Sequence, residues 1–161
     1  MKVAMADRKS RGMDLEGIID LLRRAPVGRV ATISTDGTPY VVPVNFAFEE
    51  DSIYFHCALE GMKLDNIGAN PKVGFETDEL VGIYVSHDRP CACGCHYRSA
   101  IARGRAGIVS GREEKLRALR LLADKYAGGK SAGKMSDASI DATCVVRIDI
   151  SEISGKAHLP R

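Results

Sequence analysis

The sequence predicts a mainly β fold of the α+β class, an antiparallel barrel of six strands with a few peripheral helices. Three observations predict it. Runs of β-branched and aromatic residues alternate with tight turns between residues 28 and 57, and helical periodicity is confined to short, separate segments. No Gly-x-Gly-x-x-Gly pattern follows a strand, which disfavours a doubly wound parallel sheet.

The first half of the chain predicts one helix and three strands. Asp14 is a suitable N-cap for a helix whose apolar residues recur at helical spacing until Ala25-Pro26. Strand-forming runs follow at 29–34, 40–48 and 53–57, and the first turn between them contains Asp36-Gly37. This pattern is typical of an antiparallel meander, so we expect the three strands to be neighbours.

The second half predicts two more helices and the remaining strands. We expect a short helix over 61–69, a strand from residue 72, a strand over 97–109 and a charged helix over 113–126. Residues 81–85 either extend the sheet or form a loop. A mobile Gly- and Ser-rich connection is expected over 128–139, then a last strand over 144–150, and a turn at Ser154-Gly155-Lys156 that leads into a short tail.

Length and composition limit the organisation and the function. With 161 residues the chain predicts one domain, residues 1–161, in which residues 1–12 form a loosely ordered arm. The net charge of +2 comes from evenly spread residues and does not indicate a nucleic-acid partner. Neither a membrane-spanning run nor a signal peptide is apparent, so we expect a cytoplasmic protein. The odd number of cysteines, five, predicts reduced thiols.

Residues 53–67 form the most informative segment, because a strand there passes into a helix through a glycine. The first turn of a helix has unpaired N–H groups that favour anions. Gly61 permits close approach of a phosphate, and Lys63 adds a positive charge. The segment therefore predicts a phosphate site.

Five spaced blocks together resemble the flavoproteins related to pyridoxamine 5′-phosphate oxidase, and the resemblance covers roughly residues 8 to 157. They are most similar to the nitroimidazole-resistance (Nim) group of those proteins. The blocks are Arg29-Val-Ala-Thr, Tyr40-Val-Val-Pro-Val-Asn-Phe, Ile53-Tyr-Phe-His-Cys-Ala-x-x-Gly-x-Lys-x-x-Asn-Ile, Asn70-Pro71-Lys-Val and Tyr97-Arg-Ser-x-Ile-x-x-Gly-x-Ala.

The resemblance implies an FMN-binding split β-barrel that works as a homodimer with flavin at the interface. By position, the isoalloxazine ring would be lined along the second strand, largely through the backbone, by Val42, Pro43, Val44 and Asn45. His56 and Cys57 would flank the ribityl chain or the ring edge, and Gly61, Met62 and Lys63 would hold the phosphate. Arg98 and Ser99 lie in the block of another strand that approaches the flavin, with Ser99 as a hydrogen-bond donor.

Two departures from the oxidase pattern argue against oxidation of pyridoxamine phosphate itself. The oxidase has a basic residue where this chain has Met62, so Arg29 or Arg98 is a candidate to compensate. The oxidase also has basic residues near its C-terminus that hold the substrate phosphate, whereas this sequence reads Ala157-His-Leu-Pro-Arg after its last strand.

Three functions stay open at this point. The first is an FMN-dependent oxidoreductase that passes electrons from a nicotinamide or another donor to a small flat electrophile such as a nitroheteroaromatic, with His56 as the candidate reactive residue. The second is a non-catalytic carrier or sensor of flavin or haem with His56 as a possible axial ligand. The third is a metal-binding regulator built on Cys91, Cys93, Cys95 and His96, although this alternating spacing is atypical of zinc sites and we assign no metal ligands.

Overall fold

In the described part of the chain, eight strands form one sheet, and four α-helices lie around it. The computed structural model describes residues 1–4, 11–128 and 133–160. The strands within them are β1 (Lys2–Val3), β2 (Gly28–Ile33), β3 (Pro39–Val44), β4 (Phe46–Glu49), β5 (Ser52–Cys57), β6 (Lys72–Tyr84), β7 (Gly94–Ile108) and β8 (Cys144–His158). The helices are α1 (Leu15–Arg24), α2 (Met62–Ala69), α3 (Arg112–Ala127) and α4 (Asp137–Asp141).

The sheet rolls up so that its two ends meet. Its strand order is β3-β2-β6-β7-β8-β5-β4, and β1 pairs in parallel with β8. The end strands β3 and β4 are separated in sequence by Asn45 alone, so the chain passes directly from one end of the sheet to the other. The ring of Phe46, on β4, packs 4.9 Å from that of Phe75, on β6. We refer to the meeting point at Asn45 as the seam.

Two predictions about the strands are wrong, one on their number and one on the run over 40–48. The sheet has eight strands and not six, and the run over 40–48 is not one central strand. It breaks at Asn45 into β3, which pairs with β2, and β4, which pairs with β5. The three runs are therefore not three neighbouring strands, since β3 and β5 do not pair along the sheet.

Several other boundaries differ from the prediction. Residues 81–84 extend β6, and β8 continues through Ser154-Gly155-Lys156, which pair with β7 and do not turn. Part of the expected connection, from residue 137, is helix α4. Lys2–Val3 of the expected N-terminal arm pair with β8, while residues 5–10 of that arm and residues 129–132 of the connection lie outside the described residues.

One hydrophobic core fills the rolled sheet, and α1 closes it. Its fully buried side chains come from α1 and from strands along the whole sheet, and they include Ile18, Leu21, Leu22, Val30, Phe46, Ile53, Phe55, Ile148 and Ile153. Helix α1 is N-capped as predicted, since Asp14 Oδ1 accepts a 2.8 Å hydrogen bond from Gly17 N–H. A second cluster packs α3 against the outer face of β5 and β8 through Tyr54, Ala118 and Val145. In the described part of the chain no helix is long and apolar enough to cross a membrane.

The C-terminal end of α3 is fastened to the seam by two polar side chains. The Tyr126 hydroxyl lies 2.8 Å from Phe46 N, from which it accepts, and 2.7 Å from the carbonyl oxygen of Pro26. Half-buried Lys125 places its Nζ 3.6 Å from the centroid of the Phe46 ring and donates to the Leu22 carbonyl at 3.1 Å. Burial lowers the pKa of Lys125 to about 8.

The lowered pKa of Lys125 leads to a specific pH dependence of the free energy of unfolding. Between about pH 8 and pH 10.5 the unfolded chain holds a proton at Lys125 that the folded chain has lost, so stability rises with pH there. Compared with Lys125→Met, the wild type should therefore gain about 1 kcal/mol between pH 7 and pH 10, after allowance for solvent screening of this half-exposed amine. Paired urea unfolding curves at the two pH values measure the difference. A constant difference would contradict the prediction.

Candidate functional site

The strand-to-helix junction between β5 and α2 has the geometry of an anion site. Gly61 is the N-cap of α2 at φ 131°, a conformation that favours glycine. Its carbonyl accepts from Leu64 N–H at 2.8 Å, and no side chain of the described residues caps the helix. The first N–H groups of α2 have no intrahelical acceptor, and half-buried Lys63 lies among them. We call residues 61–63 the cradle.

A buried polar network holds α2 on the barrel. Asn66 is 3% exposed and its Nδ2 donates to Thr32 Oγ1 at 3.0 Å and to Ser34 Oγ at 3.3 Å. Thr32 in turn lies 3.4 Å from the Tyr40 carbonyl oxygen. Because Asn66 follows Lys63 by one helical turn, this network fixes the cradle relative to β2. Thr32 and Asn66 each belong to a resembling block, whereas Ser34 does not, and no local pattern predicts that the three side chains meet.

Two thiols lie beneath the cradle. Cys57 and Cys144 face each other across β5 and β8, and all five cysteines are free. Burial, followed by the neighbouring Cys144, raises the pKa of Cys57 to about 11, and the Lys63 ammonium opposes that rise. Cys57 is therefore a neutral thiol near physiological pH and leaves the charge of Lys63 available to an anion.

Strand β3 presents an unpaired edge next to the seam. Ser34 N–H donates to the Thr38 carbonyl. Hydrogen-bonded pairs alternate along an antiparallel ladder, so the backbone groups of Val42 and Val44 point towards β2. The backbone groups of Val41 point to the free edge, where Pro39 and Pro43 have no N–H. Two prolines protect such an edge from pairing with another strand, while its carbonyl groups stay available to a flat ligand.

A groove of about 470 Å³ lies on the other face of β5, between the seam and α3. Its residues are Asn45, His56, Leu119, Leu122, Ala123, Tyr126, Met135 and Thr143. His56 and Cys57 are consecutive on a strand and so project to opposite faces, which means that one flat group cannot stack on both. Asn45 and His56 are exposed and supply polar atoms to an otherwise largely apolar groove.

Three other residues that the sequence suggested for the flavin site, Arg29, Arg98 and Ser99, lie outside the cradle and have partners of their own. Arg29 pairs with Glu76 and Asp78, and Arg98 pairs with Glu79, so neither is an unpaired counter-charge for the cradle. Hydrogen bonds from Arg24, and the charge of Arg98, hold the pKa of Glu79 below its usual range. Ser99 Oγ lies 3.5 Å from the Lys156 carbonyl oxygen.

The cysteine-rich segment does not form a metal site in the described residues. Residues 90–92 make a short 3₁₀ turn, and Cys95 and His96 are already part of β7. Cys93 Sγ accepts from Ser86 N–H at 3.2 Å and so stabilises the turn. Across residues 1–4, 11–128 and 133–160, no three His, Cys, Asp or Glu side chains gather into a group that could bind a metal ion.

The same end of the sheet carries a cluster of rings that sequence reasoning did not find. The His96 ring centroid lies 4.9 Å from that of Tyr84 and 5.2 Å from that of His158. The buried Nδ1 of His96 has no hydrogen-bond partner among the described residues. We call Tyr84, His96 and His158 the distal cluster. Its residues meet because β8 continues to residue 158, beyond the predicted strand end.

Comparison with known proteins identifies relatives of nearly the whole chain. The sequence profile described as pyridoxamine 5′-phosphate oxidase matches residues 14–157. No curated protein matches the chain.

Solved structures share the split-barrel fold. A protein of Bacteroides thetaiotaomicron assigned to 5-nitroimidazole antibiotic resistance is 26% identical, with a TM-score of 0.78 over 91% of this chain and 86% of that one. The flavocytochrome Anf3 of Azotobacter vinelandii is 23% identical, with a TM-score of 0.82 over 98% of this chain and 76% of that one. An FAD- and haem-binding protein of Mycobacterium smegmatis is 22% identical, with a TM-score of 0.81 over 92% and 74% of the two chains.

Proposed function

Because the chain belongs to the pyridoxamine 5′-phosphate oxidase family, in its nitroimidazole-resistance-like group, we propose that it binds FMN and reduces small flat electrophiles. The observation that carries the proposal is the cradle, in which a positive-φ glycine, unpaired helix amides and Lys63 converge at one point. When bound, FMN would supply the hydride or electron chemistry.

The chain's own residues bind and orient the flavin in this proposal. Gly61, Met62 and Lys63 hold the phosphate, and Asn66 fixes the helix that carries them. The free edge of β3, with Pro43 and the adjoining Asn45, lines the isoalloxazine ring through backbone groups, while Val42 and Val44 support that edge from the core side. Cys57 lies below the phosphate end and His56 on the groove side of the ring.

Absorption spectroscopy is the direct test of this proposal. Purified protein reconstituted with FMN should show bound-flavin absorbance, and the bound flavin should be bleached by NADH or NADPH under anaerobic conditions and recover when a nitroheteroaromatic is added. Failure to bind FMN would overturn the whole proposal. Binding without recovery on addition of the acceptor would remove only the reductase activity.

His56 is proposed to contact the electron acceptor in the groove. Replacing His56 with alanine should lower turnover of a nitroheteroaromatic about tenfold, the effect of losing one hydrogen bond to a charged or strongly polarised group. FMN affinity should be unchanged, since His56 and the cradle residues lie on different faces of β5. His87→Ala, at an exposed loop histidine, is the matched control. Equal turnover in all three proteins would mean that His56 has no part in the reaction.

A second candidate function is supported by two of the solved structures. The Azotobacter vinelandii protein is a flavocytochrome and the Mycobacterium smegmatis protein binds FAD and haem. A carrier or sensor of haem with His56 as an axial ligand would give a Soret band on titration with haemin, and His56→Ala would abolish it. FMN binding without a Soret band excludes this second function.

We also propose that the protein is a homodimer with the flavin at the interface. Leu80 and Ile83 in the last part of β6 and Val85 in the loop after it are 60%, 72% and 66% exposed. A strip of neighbouring, highly exposed apolar side chains is typical of a surface that a partner covers. Light scattering of the purified protein measures the oligomeric state.

A further inference from the structure

Cys57 and Cys144 are placed where a disulfide bond can join two strands. They are Cα partners, with Cys57 as the last residue of β5 and Cys144 as the first residue of β8. Ile150 N–H donates to the Asp51 carbonyl at 3.0 Å, and the register from there makes the two cysteines a hydrogen-bonded pair. The Cα atoms of such a pair are about 5.5 Å apart, which is inside the range that a disulfide requires.

The two thiols also lie on the same side of the sheet, at the rim of the core. Cys144 belongs to the core within the rolled sheet, and Cys57 packs against that core. Burial is the first cause that raises the pKa of Cys57 and the neighbouring Cys144 is the second, so the two thiols are close to each other. The β5–β8 ladder ends at this pair, so the backbone can adjust to a bond there without disrupting further pairs.

Cys57 is the thiol of this pair that meets reactants from solution. It is half-buried, whereas Cys144 is 5% exposed. Burial keeps most of Cys57 in the neutral form, and the Lys63 ammonium opposes this by favouring the thiolate, which is the reactive form. An anion bound beside Lys63 would offset its charge and reduce the thiolate at Cys57. The reactivity of the pair should therefore depend on whether the cradle is occupied.

We propose that Cys57 and Cys144 form a reversible redox site, in which a small disulfide such as glutathione disulfide oxidises the two thiols to a bond between β5 and β8, and FMN in the cradle slows the reaction. The formation of the bond is independent of the proposed FMN binding, and the effect of FMN rests on it.

The reaction is two successive thiol–disulfide exchanges. The Cys57 thiolate attacks one sulfur of glutathione disulfide, which leaves a mixed disulfide on Cys57 and releases one glutathione. Cys144 then attacks Cys57 Sγ and releases the second glutathione. Two protein thiols are oxidised, one glutathione disulfide is reduced to two thiols, and the two protons pass from the protein thiols to the glutathione thiolates. Excess glutathione reverses both steps.

Peptide mapping tests the bond directly. The three cysteines of residues 91–95 are exposed and are first replaced by serine, which leaves only Cys57 and Cys144 in the sequence. The folded variant is incubated with glutathione disulfide, alkylated and digested with trypsin, which places the two cysteines in peptides 30–63 and 135–147. We expect these two peptides to be linked, and excess glutathione should separate them. Two unlinked peptides, alkylated or carrying glutathione, would overturn the proposal.

Single variants in the same background test the order of the steps. Cys144→Ala should stop at a mixed disulfide of glutathione on Cys57, whereas Cys57→Ala should stay unmodified because Cys144 is buried. Modification of Cys144 in Cys57→Ala would contradict this order. The intact pair encloses a long loop when oxidised, so its Tm should rise by about 4–16 °C. A fall in Tm on oxidation would mean that the bond distorts the fold, which contradicts a site formed by the native strands.

The effect of FMN is measured as the rate of bond formation in that background. Saturating FMN should slow the reaction about tenfold, the effect of offsetting one nearby opposite charge on the ionised fraction of a thiol. Riboflavin, which has no phosphate, should slow it less, and equal protection by both ligands would contradict the role of Lys63. An unchanged rate with FMN bound would overturn the coupling to the cradle. A protein that binds no FMN would overturn the proposed function and this coupling, while the disulfide itself is decided by the peptide map.

Discussion

Replacing Lys63 with alanine is expected to weaken FMN binding about 10- to 100-fold and to leave riboflavin binding nearly unchanged. A hydrogen bond to a charged group contributes about 1.5–3 kcal/mol, and about 1.4 kcal/mol corresponds to a factor of ten in affinity. Lys63 is the cationic side chain of the cradle, because Arg29 and Arg98 are paired with carboxylates. Riboflavin has no phosphate, so its affinity reports the ring and ribityl contacts alone.

Flavin fluorescence quenching with both ligands measures the effect of this substitution. Lys72→Ala is the matched control, since Lys72 is an exposed lysine on the strand after α2 and lies outside the cradle. Thermal unfolding of the ligand-free variants shows whether either substitution disturbs the fold. An equal loss for FMN and riboflavin would place Lys63 at the ring and not at the phosphate, and undiminished FMN binding would remove the cradle from the proposed function.

The local geometry of the cradle could be predicted from sequence because it depends on a short segment. Gly61 and Lys63 are separated by one residue, and both stand at the start of a single helix. The same is true of α1, whose N-cap and apolar spacing lie within a short segment. The ends of long strands are harder to predict from sequence. The turn expected at Ser154-Gly155-Lys156 is absent because pairing with β7 outweighs the local preference of a glycine flanked by polar residues.

The seam and the distal cluster could not be predicted, because both depend on pairing between distant segments. The run over 40–48 has continuous strand character, and only the closure of the sheet shows that it must divide at Asn45 between two end strands. His96 and His158 are 62 positions apart and meet through the register of β7 and β8. Likewise, the hydrogen bonds from Asn66 to Thr32 and Ser34 follow from where α2 docks, which no local pattern predicts.

Gly104 should be the glycine in the sheet least able to accept a side chain, because the obstacle is backbone. It lies at an irregularity in the pairing of β7 with β8, and a Cβ there would stand 2.2 Å from the carbonyl oxygen of Asp149 and 3.0 Å from its carbonyl carbon. No rotamer change relieves that contact, so the two longest strands of the barrel would have to separate.

Gly104→Ala is therefore expected to destabilise the protein by about 3 kcal/mol or more, the upper part of the range for overpacked interiors. For a chain of this length that lowers the Tm by about 6–12 °C. Gly107→Ala is the matched control on the same strand, because a Cβ at Gly107 has no atom within 4 Å. Differential scanning calorimetry of both variants makes the comparison, and equal Tm values would show that β7 and β8 can part at this point without cost.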